Sequence, residues 1–71
     1  METIQTPNSS NIARFGWADN GKLFVEFKSG EKWEYDAPRP IFEEMKKAKS
    51  AGSFFHARVR GKFKGRHVEV E

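Results

Sequence analysis

The sequence predicts an α+β domain: a three-stranded antiparallel β-meander with one or two helices packed on one face, ending in an acidic tail or a short edge strand. Three observations carry the prediction. Two turn signals, Asn20-Gly21 and Ser29-Gly30, separate three short runs of β-forming residues. The stretch APRP then stops the sheet, because Pro donates nothing to a ladder. Beyond it the apolar residues recur at helical spacing. A chain of 71 residues makes a single domain, and at about 60% surface burial on folding it has no room for a deep cavity.

The opening METIQTPNSS is polar and contains a Pro, so residues 1–7 read as a flexible lead-in to a domain over residues 8–67. NIARFGW supplies the first strand, KLFVEFK the second and EKWEYD the third. A helix is predicted from about Pro40, where Ile41, Phe42, Met45 and Ala48 share a face and Glu43 and Glu44 precede Lys46, Lys47 and Lys49. Ser50 or Ser53 can cap a second helix through SFFHARVR, which Gly61 ends. Residues 68–71, VEVE, alternate through Val68 and Val70 and form the tail or edge strand.

Hairpin register decides which rings are buried, since a slip of one residue sends every side chain to the other face. A two-residue Ser29-Gly30 loop would place Lys32, Glu34 and Asp36 in the core beside Leu23, Val25 and Phe27, and burying unpartnered charge is expensive. The sequence therefore predicts a three-residue loop, Lys28-Ser29-Gly30, with Gly30 left-handed, Val25 opposite Trp33 and Leu23 opposite Tyr35. Trp33 and Tyr35 are then core residues. The first hairpin stays open between two registers. A two-residue Asn20-Gly21 turn pairs Trp17 with Phe24 and leaves Phe15, Trp17 and Phe24 on the face away from the helices, where Trp17 and Phe24 could stack with bases at ~1–3 kcal/mol each. An odd-numbered loop turns Phe15 and Trp17 into the core.

Charge is segregated along the chain. Residues 1–45 hold five Lys or Arg against eight Asp or Glu. From Lys46 to His67 there are eight bases, Lys46, Lys47, Lys49, Arg58, Arg60, Lys62, Lys64 and Arg66, and no acid. Such a block creates a field that a polyanion or an acidic protein surface would feel.

Little in the sequence points to catalysis. With two His and no Cys there is no thiolate metal site, and His56 and His67 lack ligand spacing, so neither a metal nor a cofactor is expected. SAGS lacks the strand and lysine of a phosphate loop, although a helix start near Ser50 to Ser53 could hold a phosphate on its free N–H groups with Lys49 beside it. No apolar run approaches the ~20 residues of a membrane span and no signal peptide opens the chain, so a soluble cytoplasmic protein without membrane contact is expected.

SSNIARFGW, LFVEF, SGEKWEY, Pro38 with Phe42 four residues on, AKSAGSFF and a following VR together resemble the KTSC domain, a short module named for the C-terminus of some lysyl-tRNA synthetases. The resemblance covers about residues 8 to 63. Trp33 and Tyr35 match the family's aromatic-x-aromatic pair, and Ser50, Gly52, Phe54 and Phe55 match its Ser-x-Gly-x-aromatic-aromatic segment. His56 stands where Asn is commoner and Trp17 where Tyr is. The family occurs as stand-alone bacterial or phage-borne proteins and fused to an RNA-handling enzyme, so the resemblance implies an association with RNA.

The function expected from residues and resemblance together is a non-catalytic module that binds RNA or single-stranded nucleic acid. Its phosphate contacts would come from the eight bases and its stacking from Trp17 or Phe24. The alternative is a protein-interaction module, for instance a small phage-type factor docking on a host protein, or a homodimer through the open sheet face.

Overall fold

The computed structural model describes residues 2–6 and 9–68. Among these, five strands form one antiparallel sheet in chain order: β1 (Glu2–Gln5), β2 (Ile12–Trp17), β3 (Leu23–Phe27), β4 (Lys32–Tyr35) and β5 (Gly65–His67). Between β4 and β5 the chain runs through α1 (Arg39–Lys47), α2 (Ala51–Phe54) and a π-helical turn (Phe55–Val59). The α+β class is as expected, with two more strands than the three of the predicted meander.

Both hairpins use the same loop. Phe27 N–H donates to Glu31 O at 2.8 Å and Gly30 N–H to Phe27 O at 2.9 Å, around a Gly30 at φ 99°. In the first hairpin Ala18 N–H donates to Lys22 O at 2.9 Å and Gly21 N–H to Ala18 O at 3.0 Å, around a Gly21 at φ 81°. Each is a three-residue loop closed by a left-handed glycine, a conformation that a side chain would disfavour. The predicted pairing of Val25 with Trp33 and Leu23 with Tyr35 follows, and of the two registers left open the odd-numbered one is found, with Trp17 opposite Leu23 and Phe15 opposite Val25.

The helices cover the face that carries Phe15, Leu23, Val25 and Tyr35. On α1, Ile41, Phe42 and Met45 are buried against it, and the π-helical turn adds Phe55 and Val59. Pro40 sits in the first turn of α1, where the missing N–H is no loss. Ala48, expected on the helix face, is instead the extended residue after the last turn. The opposite sheet face carries cross-strand ion pairs: Glu26 with Arg14 and Lys32, and Glu34 with Arg66.

Residues 2–5, predicted as part of a flexible lead-in, form an edge strand instead. Ile4 pairs with Phe15 and packs against the core, which supplies the apolar burial that a free segment would lack. Gly16 permits the approach, since a Cβ there would run into the Glu2 carbonyl. The C-terminal strand also lies earlier than predicted, at 65–67. Gly65 lies flat on the Tyr35 ring, where any Cβ would collide, and this fixes β5 beside β4. Of the predicted alternation, Val68 donates its N–H to Lys32 O at 2.8 Å, and Val70 lies outside the described residues.

Glu2 also ties β1 to α1, accepting from Arg39 at 2.9 Å and Lys46 at 3.2 Å, and Glu43 takes the same two cations at 2.9 and 3.1 Å. Hydrogen bonding from Lys46 holds both carboxyls below their ordinary value of 4.5. Carboxyls that titrate lower when folded contribute fully above that value and lose their contribution as pH falls through the folded value. The protection of amides in residues 2–5, taken relative to their intrinsic exchange rate, is therefore expected to fall below about pH 4.5 before that of the core amides. Because the pairs are exposed, added salt should shrink the effect. Protection of these amides that is unchanged at pH 3 would show that Ile4 alone holds the strand.

Candidate functional site

The β-bulge in β2 between Ile12 and Arg14 brings the preceding loop across the end of the second hairpin. Thr6 Oγ1 donates to Ile12 O at 2.7 Å, Ile12 N–H to Ser9 Oγ at 3.1 Å, and Lys28 N–H to Asn11 O at 2.8 Å. These bonds set Asn11 facing the π-helical turn, where its Nδ2 lies 3.4 Å from His56 Nε2. The turn itself is defined by the Arg60 N–H, which donates to Phe55 O at 2.8 Å across five residues. Single π-turns of this kind are frequent at functional sites. Here the wider turn directs Phe55 inward while His56 and Arg60 remain exposed.

Between these parts lies a cavity of about 580 Å³, walled by Trp33, Tyr35 and Phe55 and bordered by Asn11, His56 and Arg60. The Trp33 and Tyr35 rings lie within 22° of parallel at 6.3 Å, and Phe55 meets Tyr35 edge-on at 5.3 Å. Tyr35 is a core residue, and burial raises its hydroxyl above the ordinary value of 10.0 against a smaller opposing pull from Arg60. Trp33 is only half-buried, so one of the two rings expected wholly in the core presents surface to a groove. A second hollow of about 460 Å³ adjoins it across the Asn11–His56 contact.

Gly52 is required beside this contact. A Cβ there would stand 2.7 Å from Asn11 Oδ1 and 3.1 Å from Ser9 Oγ. Gly→Ala inside a helix ordinarily gains about 0.5–1 kcal/mol. Gly52→Ala is expected to reverse that sign and destabilise by about 1–2 kcal/mol in urea unfolding, through strain on the Ser9–Asn11 contact packed against it. A stabilised variant would mean that the Asn11 loop yields freely.

The remaining predicted site residues are dispersed. Phe24 does face away from the helices, but it is 7% exposed, with Gly16 and Glu34 paired on either side, and offers no ring for stacking. Trp17 is half-buried on the helix side, 5.9 Å from the Phe42 ring and with the Arg39 guanidinium 5.5 Å above it. The predicted Trp17–Phe24 patch is thus absent, because the three-residue loop puts the two rings on opposite faces. Of the eight bases, Lys46 pairs with Glu2 and Glu43, Arg58 with Glu44 at 3.3 Å, and Arg66 with Glu34 at 3.1 Å. Lys47, Lys49, Arg60, Lys62 and Lys64 are exposed and make no ion pair among the described residues. The Ser50 start of α2 is not free for phosphate: Ser50 Oγ itself accepts the Ser53 N–H at 3.2 Å, and the helix has only four residues.

Among the described residues no cluster of three metal-ligating side chains occurs, and no helix is long and apolar enough to cross a membrane. Asn11, His56 and Arg60 escaped sequence reasoning as a group, because Asn11 and His56 are far apart in the chain and only the folded loop joins them. The His56–Arg60 spacing of one helical turn was the available signal.

Comparison with known proteins places these features. A lysine–tRNA ligase of Trichormus variabilis is 44% identical over 60 residues, which is 82% of this chain and 11% of the ligase. This chain therefore corresponds to a small part of that enzyme. A crystal structure of a KTSC domain protein from Yersinia pestis matches with a TM-score of 0.78 and 30% identity, covering 94% of this chain and 99% of that one. The family model described as the KTSC domain matches residues 8–63, from the loop that carries Asn11 to the segment after the π-helical turn. With motifs and fold shared over nearly its whole length, the chain belongs to the KTSC domain family.

Proposed function

We propose that this chain is a small non-catalytic module that binds RNA or another single-stranded nucleic acid by its backbone phosphates. The observation that carries the reading is the set of five exposed cations, Lys47, Lys49, Arg60, Lys62 and Lys64, that have no ion-pair partner among the described residues. Phosphate contacts of this kind supply most sequence-independent affinity. Lys46, Arg58 and Arg66 are spent within the fold on Glu2, Glu43, Glu44 and Glu34 and contribute little. Similarity to part of a lysine–tRNA ligase supports an RNA-associated role.

Fluorescence anisotropy of the protein against labelled single-stranded RNA, single-stranded DNA and duplexes tests the reading. Binding at physiological salt with a preference for single strands is expected. Binding only at low salt, equal for every polyanion, would overturn it and turn attention to an acidic protein surface.

A further inference from the structure

The groove beside the π-helical turn has a chemistry that phosphate binding does not use. Its volume, about 580 Å³, falls within the roughly 300–1,000 Å³ of ligand pockets. Its wall is aromatic, built from Trp33, Tyr35 and Phe55. Trp33 is half-buried and backed by Tyr35, so its ring plane is set by packing before any ligand arrives. The Asn11 Nδ2 and the His56 imidazole meet at 3.4 Å, a long contact that leaves a second amide hydrogen available, while the Asn11 carbonyl oxygen accepts from Ser9 Oγ at 3.3 Å and faces Gly52. Arg60, exposed and outside any ion pair among the described residues, stands at the same mouth. Glu31 is the one acid among the described residues that line the groove, and it disfavours a carboxylate ligand while offering an acceptor to an exocyclic amine.

We propose that this groove is a pocket for one unstacked base of a single-stranded nucleic acid. The base lies against the Trp33 ring, its hydrogen-bonding edge on Asn11 and His56, and its phosphate on Arg60. The Asn11 amide hydrogen and the His56 ring offer hydrogen-bonding groups to a base edge, and single-stranded RNA is commonly read by ring stacking together with contacts to that edge. This inference rests on the nucleic-acid reading above and adds to it a site for the base, with Arg60 shared between the groove and the phosphate contacts.

The test uses the full chain and two labelled RNA octamers of equal charge, one normal and one with abasic residues throughout. Arg60→Ala and His56→Ala alter exposed side chains and should leave the melting temperature in place. The normal octamer is expected to bind at least tenfold more tightly than the abasic one, and His56→Ala to remove most of that difference. Should both octamers bind alike and weaken together when Lys47 and Lys49 become Ala, the pocket is wrong and phosphate binding survives. Should neither octamer bind at physiological salt, both readings fall. Asn11→Asp supplies a second variant if His56→Ala proves unstable. It keeps the shape of Asn11 but reverses its donor, and unchanged discrimination would overturn the assignment of Asn11.

Discussion

Phe42→Ala is expected to remove a large share of the stability of this domain. Phe42 is fully buried, edge-on to Phe15 at 5.8 Å and 5.9 Å from the Trp17 ring. The Arg39 guanidinium lies 4.9 Å and the Lys46 ammonium 5.1 Å from its ring centre, so cation–π attraction is lost together with packing. Truncating a buried Phe to Ala costs about 3–5 kcal/mol. At ~0.05–0.15 kcal/mol per residue, a domain of this size has roughly 4–11 kcal/mol in total. The loss is therefore comparable with the whole stability at the lower end. Urea unfolding followed by tryptophan fluorescence measures it, and Phe42→Leu should cost much less. A loss below about 1 kcal/mol for the alanine variant would mean that α1 is not docked as described.

The second large effect concerns salt. Single-stranded binding loses about 0.7 of a logarithmic unit per neutralised phosphate for each decade of salt. If all five unpaired cations engage, the slope is about −3.5, and raising salt from about 50 to 200 mM lowers affinity roughly 100-fold. Changing Lys47, Lys49, Lys62 and Lys64 to Ala should flatten the slope to about −0.7, leaving Arg60. A triple change at Lys46, Arg58 and Arg66 should flatten it far less per charge removed, because those cations already face carboxylates. Equal flattening per charge removed by the two sets would show that the overall field, and not these five side chains, governs binding.

Local chemistry was enough for some elements and silent on others. The second hairpin was legible because one register buries Lys32, Glu34 and Asp36 and the other does not, a difference of several kcal/mol visible within nine residues. The first hairpin offered no such contrast, since either face of Ala18 and Trp17 is tolerable. Its Asn20-Gly21 pair fits a two-residue turn as well as the three-residue loop that forms. Strand β1 escaped because its reward is tertiary: Ile4 finds Phe15, and Gly16 makes room for the Glu2 backbone. The basic block was plain from composition, but its partial neutralisation was not, because Glu2, Glu34 and Glu44 reach Lys46, Arg66 and Arg58 only through the fold. The groove has the same origin, with walls from the first loop, β4 and the π-helical turn that lie far apart in sequence.

The order of the strands has a kinetic meaning. Strands β1 to β4 each pair with their neighbour in the chain, so the first three pairings close only short loops and can form on the timescale of isolated hairpins, microseconds to tens of microseconds. The pairing of β4 with β5 must instead wait for residues 36–64 to arrange themselves, since Tyr35 meets Gly65. Until then the backbone of β4 is a bare edge open to another chain. Nascent molecules of this protein are most exposed to misassociation in that interval, along the strand that carries Trp33 and Tyr35.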